Sequence, residues 1–175
     1  MQTSKRFKTK IVKTVDMPYL LHLPNDYSKK VSYPLIIFLH GSEERGNDTS
    51  LLEVGLTKLL QTARDYPFIL VAPQCPIDSW WTLELDALSV LIEDFLERHN
   101  IDKKRIYLTG LSMGGDGAWR LAALHPTWFA AVVPICGRDK SNSTKKLKKI
   151  PAWAFHGAKD DIIPVSESRK IVRSI

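Results

Sequence analysis

Five residues, Gly110-Leu111-Ser112-Met113-Gly114, separate a strand-like apolar run at 105–109 (RIYLT) from a helical repeat of Ala118, Leu121, Ala122 and Leu124. A chain that passes from extended to helical backbone in so few residues must turn sharply, and the residue at the apex takes a strained conformation. Side chains on either side of such an apex would collide, so glycine at 110 and 114 removes the offending Cβ atoms. This is the strand–turn–helix setting in which G-x-S-x-G exposes a serine at the N-terminus of a helix. There the helix dipole favours developing negative charge. A serine that merely caps a helix does not call for two flanking glycines. Ser112 is therefore a candidate nucleophile.

The rest of the chain alternates between strand and helix patterns. Strands are predicted at 10–15, 19–23, 35–40 (LIIFLH), 68–72 (FILVA), 105–109, 129–135 and 152–155. Helices are predicted at 51–64, 82–99, 112–125 and from 166 onward. The second of these carries Leu85, Leu88, Leu91, Ile92, Phe95 and Leu96 on one face. Continuous apolar strands separated by amphipathic helices imply an α/β fold, a mainly parallel sheet flanked by helices. Neither an internal repeat nor a long linker divides the 175 residues, so a single domain over 1–175 is expected.

The net charge of +6 comes largely from Lys5, Arg6, Lys8, Lys10 and Lys13 and from Lys140, Lys145, Lys146, Lys148 and Lys149. The second cluster lies in a Ser/Asn/Thr-rich stretch without aromatics, which reads as a solvated face, and no nucleic acid partner is expected. No apolar run approaches the roughly 18–20 residues that span a membrane. The basic N-terminus lacks the apolar core of a secretory signal, so a cytoplasmic location is expected. Cys75 and Cys136 make no disulfide framework and read as small buried hydrophobes. No metal site and no cofactor is expected.

A second glycine-bearing turn, His40-Gly41-Ser42-Glu43-Glu44-Arg45-Gly46, closes the strand at 35–40. Acyl transfer needs two backbone N–H donors aimed at the oxyanion, one after the nucleophile and one from the turn after an earlier strand. Met113 N–H and Ser42 N–H are the candidates. His40 reads as a loop-organising histidine, and Glu44 with Arg45 as a brace. Trp80 and Trp81 follow a strand end, where they line a pocket or pack the core.

FLHGSEERG, VAPQCP followed by Trp80 and Trp81, LTGLSMGGDGAW, HPTWFAAVVPICG and HGAKDDIIP occur in order over about 34–168. Together they resemble the esterase/phospholipase-carboxylesterase branch of the α/β-hydrolases, which includes predicted peptidases and feruloyl-esterase-like enzymes. The resemblance implies an α/β-hydrolase fold and a Ser-His-Asp acyl-enzyme mechanism on a small-molecule carboxylic ester. It implies Ser112 as nucleophile, Ser42 and Met113 as oxyanion donors, and the aspartate of HGxxD, here Asp160, as the acid. Asp161 is the neighbouring alternative.

Serine needs an adjacent base. The five histidines are His22, His40, His99, His125 and His156, and none follows Asp160. A helix, a loop and a last strand place the histidine of such a fold roughly 25–35 residues beyond the acid, whereas fifteen residues remain. The expectation is a chain that lacks the last strand and the histidine-bearing loop, hydrolyses esters weakly, and self-associates through an uncovered sheet edge. A non-catalytic scaffold of the same fold and a serine peptidase are the alternative functions.

Overall fold

The computed structural model describes residues 2–10, 12–53, 55–60, 65–139 and 143–175. In chain order the strands are β1 (Tyr19–His22), β2 (Tyr33–Leu39), β3 (Ile69–Pro73), β4 (Ile101–Leu111) and β5 (Ala131–Ile135). The helices are α1 (Leu56–Leu60), α2 (Leu85–Arg98), α3 (Met113–Leu124) and α4 (Ser166–Val172), with 3-10 turns at Ser50–Leu52 and Ser143–Leu147. The five strands form one sheet in the order β1-β3-β2-β4-β5. Only β1 runs antiparallel to its neighbour; the other pairings are parallel. The chain is thus an α/β protein with a mainly parallel sheet flanked by helices, as its alternating pattern implies.

The central strands are apolar throughout because both of their faces are covered. Leu35, Ile37 and Leu39 of β2 point to the side packed by Leu88, Ile92 and Phe95 of α2 and by Ala118, Trp119, Leu121 and Ala122 of α3. Ile36 and Phe38 alternate to the other side, where Leu70, Ala72, Leu56 and Leu60 meet them. Each fully buried Leu or Ile contributes about 1.5–3 kcal/mol relative to exposure, so the two-faced run at β2 anchors the domain.

Three predicted elements differ from those observed. The strand expected at 10–15 is not formed among its described residues; Val12 and Val15 are exposed and pair with no strand. The helix expected at 51–64 is broken because Gly55 adopts φ +54, and α1 is only Leu56–Leu60, with 61–64 outside the described residues. The strand expected at 152–155 runs parallel beside β5 but is reduced to two bridges, Val132 with Ala152 and Ile135 with Phe155. Val132 N–H and Cys136 N–H donate to Pro151 O and Phe155 O across this edge. Pro134, halfway between them, has no N–H to give, and the ladder lapses there. Trp153 (70% exposed) and Phe155 (42%) leave an apolar edge in solvent, their rings 4.8 Å apart.

Candidate active site

β4, β2 and β5 all end at the same edge of the sheet, which brings together the turns that follow them. At the end of β4, Ser112 has φ 54° and ψ −115° and immediately precedes α3. A non-glycine residue in this region is strained. The crowding around it explains the flanking glycines. A Cβ on Gly110 would lie 2.3 Å from Gly114 O, and one on Gly114 would lie 1.9 Å from Leu39 O. Ser112 N–H donates to Ile135 O (2.9 Å), and Asp116 N–H donates to Ser112 O (3.0 Å). The Ser112 side chain makes no capping bond to α3. It occupies the cap position without doing the work of a cap.

The turn after β2 lies against this elbow. A Cβ on Gly41 would be 3.9 Å from Ser112 Cβ. Several bonds hold the turn. Arg45 Nε–H donates to Ser42 O (3.0 Å) and its Nη1–H to Ser79 O (3.3 Å). Buried Gln74 donates from Nε2 to Glu44 O (2.9 Å) and accepts Thr49 N–H at Oε1 (2.8 Å). Gly46 N–H donates to Cys75 O (3.0 Å). Ser42 N–H and Met113 N–H take no hydrogen-bond partner among the described residues.

His40 is the keystone of that turn. Its Nε2 lies 2.9 Å from Cys75 N–H and must accept from it, which leaves Nδ1–H to donate to Gly41 O (2.6 Å). Trp81 Nε1–H donates to His40 O (3.0 Å), and the two rings meet edge to face at 5.0 Å. Burial pushes the His40 imidazole below its usual range, against the pull of its bond to Gly41 and with the nearby Arg45 charge. Glu44 Oε2, 3.8 Å from His40 Nδ1, therefore faces a neutral ring and makes no ion pair with it.

A pH dependence follows from this neutral ring. The unfolded chain binds a proton at His40 near pH 6.5, while the folded chain does so only at lower pH. Stability from this site is complete above about pH 6.5 and is lost as pH falls toward the folded value. Urea midpoints taken between about pH 7.5 and pH 5 should fall. His40→Asn should be less stable at neutral pH yet lose less over that interval, the remainder coming from His99 and His125, which burial also lowers. An unchanged slope in the variant would overturn this assignment.

The other four histidines are engaged elsewhere. His22 Nε2 lies 3.4 Å from Tyr66 O, and His99 Nδ1 2.9 Å from Tyr27 Oη, its ring stacked on Phe95. His125 bonds Ser89 Oγ (2.7 Å) and stacks on Trp128. His156 donates from Nε2 to Ile163 O (2.6 Å) and meets Ser168 Oγ at Nδ1 (2.7 Å). No histidine is hydrogen-bonded to Ser112 among the described residues.

The two candidate acids differ in setting. Asp160 Oδ1 accepts Ile162 N–H (3.0 Å) and Ile163 N–H (2.9 Å), leaving Oδ2 3.5 Å from His156 Nε2. The Ile163 and Ile162 N–H groups, helped by His156, hold its carboxyl below the usual range. Asp161 is exposed and makes no such bonds. The two tryptophans differ as well. Trp81 is fully buried, so it packs the core beneath the turn and cannot line a pocket. Trp80 is 43% exposed, and the Arg45 guanidinium lies 5.0 Å over its ring.

Two features escaped the sequence. Cys136 takes φ +43 directly after β5. Burial raises its thiol pKa, opposed by the adjacent Ser112 N–H and aided by the charges of Asp160 and Asp116. The thiol thus lies beside the Ser112 backbone, and it is protonated at neutral pH. Beside it, a cleft of about 240 Å³ is lined by Trp80, Thr82, Asp116, Arg120, Arg138 and Asp139. No spacing in the sequence marks either feature, because both depend on where β5 ends relative to α3. Among the described residues, no group of three or more His, Cys, Asp or Glu side chains is placed to hold a metal ion. None of their helices is long and apolar enough to cross a membrane.

Residues 81–175, which carry the elbow and both acid candidates, match the model of the dienelactone hydrolase family. The chain belongs to the dienelactone hydrolase family. Several of its similar relatives carry esterase names. It is 27% identical over 135 residues to the bifunctional acetylxylan esterase/xylanase XynS20E of Neocallimastix patriciarum, covering 74% of this chain and 20% of that protein. It is 28% identical over 158 residues to the "Probable feruloyl esterase C" of Aspergillus oryzae, covering 85% and 57%. The crystal structure of a thermostable esterase superposes with a TM-score of 0.78 at 36% identity, over 90% of this chain and 47% of that one. This dienelactone hydrolase family chain therefore spans between a fifth and just over half of the length of these proteins.

Proposed function

We propose that this chain carries the nucleophile, oxyanion and acid parts of a serine carboxylic ester hydrolase. The observation that carries the reading is the backbone of Ser112, strained at a strand–helix apex and free of any capping duty. In the proposed reaction Ser112 Oγ attacks the ester carbonyl and its proton passes to a base. Met113 N–H and Ser42 N–H receive the oxyanion, each worth on the order of 3–4 kcal/mol of transition-state stabilisation. Collapse of the tetrahedral intermediate releases the alcohol and leaves an acyl-serine, which water then cleaves to the acid. Asp160 Oδ2 is the group that would orient an imidazole, since Oδ1 is already held by two backbone donors.

None of the five histidines in the chain is placed as that base. The same observation favours the second reading, a non-catalytic scaffold of the fold. A peptidase shares the elbow and remains a third reading. Labelling with a fluorophosphonate, followed by mass spectrometry, separates the first two. An adduct at Ser112 that is lost in Ser112→Ala supports the hydrolase; folded protein with no adduct supports the scaffold.

A further inference from the structure

Beyond β5 the sheet ends at residues 152–155, and their hydrogen bonds fix which way that edge faces. Trp153 N–H and Phe155 N–H donate inward to Val132 O and Pro134 O. Pro151 O and Phe155 O accept from Val132 N–H and Cys136 N–H. Backbone groups of successive strand residues point to opposite sides, so the N–H and C=O of Ala152 and Ala154 point outward. They take no backbone partner among the described residues. Two donors and two acceptors in a row are a template for a further strand.

The side chains of this edge are also two-sided. Ala152 and Ala154 pack against the core shared with α2 and α3. Trp153 and Phe155 therefore lie together on the opposite face, exposed and with their rings in contact. The far edge of the sheet offers less, since β1 exposes only Leu21 among its large hydrophobics.

The ends of the 152–155 edge carry opposite charge. Lys146, Lys148 and Lys149 stand exposed just before it. Just after it, the carboxylates of Asp160 and Asp161 outweigh the ammonium of Lys159. A second copy running parallel would set like ends together. An antiparallel copy sets the basic end of each edge on the acidic end of the other, and it matches every donor with an acceptor. We infer that a second copy of this chain docks on the 152–155 edge, antiparallel, and extends the sheet across a two-fold axis at Ala154. That axis pairs Ala154 with Ala154 of the second copy through two reciprocal N–H to C=O bonds. It sets Trp153 of each copy opposite Phe155 of the other, at the non-hydrogen-bonded positions where side chains approach most closely. Both aromatic pairs then lie on one face of a continuous sheet.

So short a contact should associate at about 10–100 µM. Sedimentation velocity of the 175-residue chain across that range should show the mass double and then stop growing, because a two-fold contact uses up the edge. Trp153→Lys, at an exposed position, should weaken the dimer about tenfold or more. Lys148→Glu with Lys149→Glu should weaken it too, although the pair lowers the net charge of +6 by which two copies repel. Hydrogen exchange followed by NMR reads the contact in the unsubstituted chain. The Ala154 amide should slow as the concentration rises, while the Trp153 amide, already bonded to Val132 O, should not. A monomer throughout that range, which would leave the edge to some other occupant, overturns the inference. So does growth past two copies, or a dimer in which Ala154 exchanges at the monomer's rate.

Discussion

Gly114→Ala should leave the chain unable to reach its folded state. The added Cβ would stand 1.9 Å from Leu39 O, 2.5 Å from Leu39 C and 2.7 Å from His40 O. All three atoms are backbone at or just beyond the end of β2, where Leu39 is held by its pairing with Gly110 of β4. No flexible side chain can yield, so α3 must move away from the sheet. That would uncover Trp119, Leu121 and Ala122, which are fully buried. Losses above about 4–5 kcal/mol are the expected scale for such a clash, against a total stability of about 5–15 kcal/mol for a typical domain. Circular dichroism and urea titration should show little or no cooperative transition. Gly157→Ala is the matched control, since the nearest atom to its added Cβ is 4.0 Å away, and it should unfold like the parent. A cooperative Gly114→Ala protein near parental stability would remove the steric basis assigned to the elbow.

The second large effect concerns turnover. The chain of 175 residues should hydrolyse an activated aryl ester about 10⁴–10⁶-fold more slowly than a complete serine esterase, the range associated with a missing triad member. The physical reason is that, among the described residues, no imidazole is hydrogen-bonded to Ser112. His40 is locked neutral by Cys75 N–H and Gly41 O. His156, the histidine nearest the acid, spends its nitrogens on Ile163 O and Ser168 Oγ. What remains should come from the oxyanion donors and should therefore change little in Ser112→Ala. Robust turnover that vanishes in Ser112→Ala but survives His40→Ala and His156→Ala would defeat the prediction. It would require a base that is none of these.

The elbow was legible because it is local. Gly110, Ser112 and Gly114 lie within five residues, and a strand-to-helix turn constrains its own neighbours whatever surrounds it. The reading of His40 as a loop organiser was legible for a similar reason, as it stands at a strand end beside a glycine turn. Element boundaries were less so. The helix expected at 51–64 failed at Gly55, whose left-handed backbone a periodic pattern does not register. The strand at 152–155 kept its place but lost a rung of its ladder, because the proline that interrupts it belongs to β5, about twenty residues earlier in the chain.

Side-chain roles that depend on partners distant in sequence could not be read at all. Trp80 and Trp81 are adjacent and alike in one dimension, yet the backbone turns one ring into the core and leaves the other over a cleft. Asp160 and Asp161 are likewise equivalent until the loop aims two N–H groups at the first of them. Cys136 looked like an ordinary small hydrophobe until the end of β5 set it beside the Ser112 backbone. By itself the sequence determined the alternating α/β layout and the position of the strained strand–helix apex at Ser112, since apolar periodicity and short-range sterics act between near neighbours. Only the tertiary structure decided which acid is held, where each histidine's nitrogens go and what lines the cleft. Those depend on strand register and on the shared edge of the sheet, where residues far apart in the chain are brought within hydrogen-bonding distance.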